Sequence, residues 1–128
     1  MAVEFVTPEI PKPFRVLFMG AVVQGWLEAS GEERREKVLP RMKQMMLEEW
    51  PSLGAKVVAT FDDDLFMVGP PSTPDFTWYL LFEVPSMEAV AGMINRVRTE
   101  VDGVRLDKYV RLEARFGRKF FLLEGGAH

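Results

Sequence analysis

The sequence has no cysteine and one histidine, His128, which is its last residue. Without cysteine there are no disulfides, thiolate nucleophiles or cysteine metal ligands, and the composition suits a reducing compartment. Without an interior histidine, a histidine-ligated haem, a zinc triad and a Ser-His-Asp set are excluded. Gly20, Gly25 and Gly31 are scattered and precede no GKS or GKT, so no phosphate loop is present. No apolar run approaches the roughly 20 residues that cross a bilayer, and MAVEFVTPEIPKPF lacks the basic-then-apolar order of a secretory signal. Neither sign of charge is concentrated: 16 Lys and Arg face 19 Asp and Glu, for a net charge of −3. The basic stripe that a nucleic-acid backbone demands is missing. These absences predict a soluble cytoplasmic protein with no cofactor, no metal, no nucleic-acid partner and no membrane partner.

What remains is a chain of ordinary globular composition, 128 residues long with 48% hydrophobic and 27% charged residues. That length accommodates one domain. Pro8, Pro11 and Pro13 mark residues 1–13 as an extended arm, because proline fixes φ and cannot donate to a ladder. Residues 14–124 carry the periodic elements, and 125–128 read as a tail. FRVLFMGAVV (Phe14 to Val23) predicts a central strand, and Gln24 to Ala29 a loop. Ser30 and Glu33 have the form of a capping box. The helix it opens carries Val38, Leu39, Met42, Met45, Met46 and Trp50 on one stripe. Pro40 predicts a kink or a restart inside it, since an interior proline costs roughly 3 kcal/mol.

AKVVATF (Ala55 to Phe61) and FTWYLLFEV (Phe76 to Val84) predict two further strands, and the long segment between them either extends the ladder at LFMV or folds over something. A second helix opens at Ser86 with Met87, Val90, Ile94, Val97 and Val101 on its apolar stripe and Gly103 as its C-terminal cap. LDKYVRLEARF (Leu106 to Phe116) predicts the fourth strand, with Tyr109, Arg111, Glu113 and Arg115 on one side. KFFLL (Lys119 to Leu123) predicts a short strand added at an edge or onto a partner.

Strand, helix, strand, strand, helix, strand is the split βαβ order of ferredoxin-like α+β domains, a four-stranded antiparallel sheet with both helices on one face. The other face then carries Arg15, Leu17 and Met19, Tyr79, Leu81 and Glu83, and the charged row from Tyr109 to Arg115. So apolar a patch predicts cover, and the simplest cover is a second copy of the same sheet.

At this point the chain resembles the dimeric α+β barrel superfamily, which includes antibiotic-biosynthesis monooxygenases, over Phe14 to Leu123. Trp26, Leu27, Ser30, Glu33 and Arg34, with Phe61-Asp62 and the run from Met93 to Arg98, are similar to darcynin-like members. The resemblance implies a homodimer with a ligand pocket in each subunit. On that basis the expected function is a cofactor-independent isomerase, cyclase or monooxygenase acting on an apolar cyclic or polyketide-like substrate. Its alternative is a non-catalytic dimeric ligand-binding or interaction module.

The residues suited to such chemistry follow from their types. Tyr79 or Tyr109 would orient a substrate oxygen, Arg111 would stabilise developing negative charge, and Glu113 or Asp62 would move a proton. Arg115, with Leu17, Met19 and Leu81, would bind substrate from the sheet; Trp26 would stand at the pocket mouth, and Met42 and Met46 would form an adaptable wall. Each has a plainer alternative. Arg111 and Arg115 pair with carboxylates across strands, Asp62 to Asp64 form a solvated loop, and the methionines pack the core.

Overall fold

The structure, a computed structural model, describes residues 13–66, 68–69 and 76–124. The expected arm, Pro13 apart, and the tail at 125–128 lie outside the described residues. In chain order the elements are β1 (Phe14–Val22), α1 (Gln24–Glu28), α2 (residues 31–52), β2 (Lys56–Asp62), β3 (Trp78–Val84), α3 (Met87–Arg98), a 3-10 turn (Leu106–Lys108), β4 (Val110–Gly117) and the single helical turn α4 (Phe121–Glu124). The four strands form one antiparallel sheet in the order β2-β3-β1-β4.

Alternation along β1 buries Phe14, Val16 and Phe18 on the helix side. Phe18 stacks on Trp50 of α2 at 4.9 Å, and Phe82 of β3 meets Trp50 edge-on at 5.4 Å. Trp50 is fully buried, and its indole N–H donates to the Met93 carbonyl of α3 at 3.1 Å, so one side chain joins both helices to the sheet. Beside it, Arg41 is buried and grips Glu49 through two bonds of 2.9 Å, while Arg96 of α3 donates to the same carboxylate at 2.8 Å. The Arg96 hydrogen bond, joined by the bond and charge of Arg41, holds the Glu49 carboxyl down at about 2 against the opposing cost of burial.

Helix α2 runs through both of its prolines because each follows a wide π turn. The Leu39 N–H donates to the Arg34 carbonyl and the Trp50 N–H to the Met45 carbonyl, each five residues back. Pro40 and Pro51 then sit where the widened turn has relieved the clash of the ring with the preceding turn. The predicted kink or restart at Pro40 is thus replaced by a π segment. Gly54, at φ +97°, ends the helix in the left-handed region that favours glycine.

Several local expectations are corrected. Gln24 to Glu28 is a short helix, not a loop. Helix α3 stops at Arg98, so Val101 leaves its stripe. Gly103, at φ +80°, follows Asp102, at φ +52°, in a two-residue turn closed by reciprocal 2.9 Å bonds between Val101 and Val104. Residues 65 and 66 extend no ladder, while Met67 lies outside the described residues. The predicted edge strand at 119–123 is instead α4 with its lead-in.

The larger correction concerns closure. The sheet is open, with β2 and β4 each paired on one side only among the described residues, and it is not a barrel. The dimeric α+β barrel class, the homodimer of facing sheets, and the darcynin-like and monooxygenase-like resemblances that implied them are therefore set aside. The expected enzyme and its dimeric alternative fall too, because no barrel pocket exists to hold a substrate. The physical reason lies in the outer face. Leu17, Met19, Tyr79 and Leu81 are half-buried rather than exposed within this chain, so a facing sheet is not needed to take them out of water. The exposed large apolar side chains include Val57, Val58 and Phe61 on the edge strand β2. There a register slip between Val57 and Ala59 leaves Val57 opposite Phe82 on the helix side and puts Ala59 and Phe61 opposite Leu81 and Tyr79 on the outer side. A bulge of this kind blunts an edge against further pairing.

Candidate functional site

The outer face is laid out by strand register. Across β3, β1 and β4 its rows are Glu83–Arg15–Gly117, Leu81–Leu17–Arg115 and Tyr79–Met19–Glu113, with Ala21 beside Arg111 beyond them. Period-two alternation on three strands thus collects Leu17, Met19, Tyr79, Leu81, Arg111, Glu113 and Arg115 on one surface. The other residues singled out in the sequence are placed elsewhere.

Tyr109 is buried in the core. The 3-10 turn immediately before it shifts the strand phase, and its carbonyl accepts from the Val23 N–H at 2.9 Å instead of joining the ladder of β4. Trp26 lies under the Arg34 guanidinium, 4.8 Å from its ring centre, and the same guanidinium donates to the Trp26 carbonyl at 2.7 and 2.9 Å. Ser30 accepts from the Glu33 N–H at 3.0 Å. The spacing of Trp26, Ser30, Glu33 and Arg34 is therefore the geometry of the corner between α1 and α2. Asp62, Met42 and Met46 share an open cleft of about 340 Å³ on the helix side with Thr60, Trp78 and Leu80.

The outer face has two unlike ends. At one, the Tyr79 hydroxyl faces two acceptors, Asp63 Oδ2 at 3.3 Å and the Phe76 carbonyl at 3.2 Å. Burial, and then the Asp63 carboxylate, raise the phenol above its usual range, so Tyr79 is a donor here and not a base. Arg111 reaches Glu113 at 3.3 Å and rests 5.9 Å from the Phe76 ring centre. These side chains satisfy one another. Asp62 and Asp63 diverge, the first lining the helix-side cleft and the second meeting Tyr79. Among the described residues no three His, Asp or Glu side chains converge as a metal site.

At the other end an open cleft of about 360 Å³ lies among Arg15, Leu17, Leu81, Arg115, Arg118, Phe120 and Glu124. Arg15 Nη1 and Nη2 donate to the two oxygens of Glu124 at 2.6 and 2.9 Å. The Arg15 side chain is 13% exposed and that of Glu124 40%. Arg15 Nε is buried and meets no acceptor. Among the described residues, Arg115 and Arg118 form no ion pair. The cleft therefore holds three guanidinium groups and one carboxylate over a leucine floor, a constitution suited to an anion with an apolar body.

Leu17, Leu81 and Arg115 of this cleft were singled out in the sequence, whereas Arg15, Arg118, Phe120 and Glu124 were missed as site residues. Alternation had already placed Arg15 on the outer face, and that signal alone could have promoted it. No family model, no curated protein and no solved structure matches this chain. Among the described residues no helix is long and apolar enough to cross a membrane.

Proposed function

We propose that this protein binds a small organic acid with an apolar body, received on the outer face of the sheet at Arg15 and Arg115, and that it does so in the cytoplasm. The observation that carries the reading is the Arg15 fork already holding a carboxylate in two short bonds beside the Leu17 and Leu81 floor. Two bonds from one planar guanidinium to one carboxylate are the strong, oriented form of charge-assisted pairing. Arg115 and Arg118, without an ion-pair partner among the described residues, add the long-range attraction that draws an anion to the cleft. Of the residues first considered for chemistry, Leu17, Leu81 and Arg115 keep binding roles; Tyr79, Arg111 and Glu113 line the adjoining surface, each engaged with a neighbour.

Calorimetric titration tests the reading. Octanoate is expected to bind saturably, more weakly as salt is raised, and to lose most of its affinity in Arg115→Met, whose side chain is exposed and whose removal leaves the core intact. Octanol, with the same tail and no charge, is the control. Equal binding of octanol, or no saturable binding of octanoate by folded wild-type protein, would discard the assignment.

A further inference from the structure

Glu124 comes to Arg15 from the far end of the chain, 109 residues away. The turn that carries it, α4, is four residues long with every one exposed. A single helical turn does not persist in water without tertiary contacts, because nucleation fixes several residues for few bonds. The position of α4 therefore leans on what its side chains grip, and the Glu124 carboxylate is its charged grip.

We propose that Glu124 is an internal stand-in for the ligand: a monocarboxylic acid with a short apolar chain displaces it from Arg15, and α4 is released as the acid enters. This rests on the binding function given above. Three features support it. The two Arg15–Glu124 bonds run from separate nitrogens to separate oxygens, so the group the fork already holds is itself a carboxylate, paired in the bidentate form that an incoming acid would reproduce. Exchange of one carboxylate for another leaves the charge of the cleft unchanged, so the outcome turns on the apolar body, which Glu124 lacks and which Leu17, Leu81 and Phe120 are placed to cover. Finally, the Glu124 side chain is 40% exposed, so water solvates the carboxylate as it leaves and lowers the net cost of breaking two well-oriented bonds. Competition of this sort lowers ligand affinity by the fraction of time the latch is open, and removing the latch restores it.

The test is titration of full-length 15N-labelled wild type and Glu124→Gln with octanoate, followed by amide NMR, with octyl phosphate as a second probe. Glutamine keeps the shape and removes the charge. Expected is binding about two- to five-fold tighter in Glu124→Gln, the range set by a surface ion pair. In wild type, the Leu123 and 124 amides should move on binding toward the shifts they already show in ligand-free Glu124→Gln. Equal octanoate affinity in the two proteins, with those amides unmoved, overturns the latch and leaves the binding function standing. Absence of binding in both folded proteins overturns that function and the latch with it. Octyl phosphate binding as tightly as octanoate in Glu124→Gln overturns the choice of a carboxylate.

Discussion

Among the described residues two arginine–glutamate pairs are bidentate, and they sit on opposite sides of the sheet in unlike surroundings. Arg41 and Glu49 lie beside the helix-side core, with side chains 3% and 19% exposed, and Arg96 braces the carboxylate from a second helix. Arg15 and Glu124 lie on the outer face with one end open to water, the carboxylate donated by a single exposed turn. The chemistry of the contact is the same. Burial and bracing make the first a fastener, because breaking it strands a buried charge, whereas exposure leaves the second exchangeable. The faces around them follow suit. Phe18, Trp50 and Phe82 close on one another in the buried core, while Leu17 and Leu81 stay half-buried beside a cleft.

The deepest break in this comparison comes from Trp50. Replacing it by alanine removes the ring that Phe18 and Phe82 pack against and leaves the Met93 carbonyl without its donor. A loss of about 3 to 5 kcal/mol is expected in urea denaturation. A change under about 1 kcal/mol would mean that the helices are held to the sheet by something other than this residue.

Glu49→Gln comes next. It leaves Arg41 buried with a weaker partner and is expected to cost about 3 kcal/mol. The acid limb of stability provides a second readout. Glu49 has a folded-state pKa of about 2 against an ordinary 4.5, so its contribution is complete above pH 4.5 and drains away as pH falls toward 2. That contribution amounts to about 3 kcal/mol. Stability measured from pH 5 down to pH 2 should therefore fall more steeply in wild type than in Glu49→Gln; parallel curves would show that the pair is not the fastener described.

Much of this contrast could be read in the sequence, and its limits are instructive. Period-two alternation placed Arg15, Leu17 and Met19 together with Tyr79, Leu81 and Glu83 on one face, because strand side chains point to alternate sides whatever the tertiary context. Ser30 and Ser86 marked helix starts since an N-cap is a contact over three residues, and both accept the expected N–H. Failures occurred where a non-local contact or a phase shift intervened. Tyr109 kept the strand alternation on paper but follows a 3-10 turn that resets it. Arg41 reads as one more charge on a helix surface, and only α3, some fifty residues on, reveals the carboxylate brace beneath it. The apolar outer face suggested a facing sheet because alternation assigns a side chain to a face and says nothing of how far it is buried there; Leu17, Met19, Tyr79 and Leu81 are half-buried in the single chain. Glu124 carried no signal at all, its partner being at the opposite end of the chain.

The smallest expected effect falls on the outer pair and sharpens the comparison most. Glu124→Gln should change global stability by less than about 1 kcal/mol, since an exposed pair gains little over its solvated partners and gives up side-chain freedom to form. Raising the ionic strength should erase even that difference, whereas the Glu49→Gln deficit should persist because buried charges are poorly screened. The two variants thus change the same side chain to the same amide, and differ in how far the lost carboxylate was removed from water. If Glu124→Gln destabilised the protein as much as Glu49→Gln, the outer pair would be a second fastener, α4 would be part of the folded core, and an acid could not displace it at modest cost. A near-silent stability change combined with tighter octanoate binding is the pattern that separates a contact built to hold the fold from one built to give way.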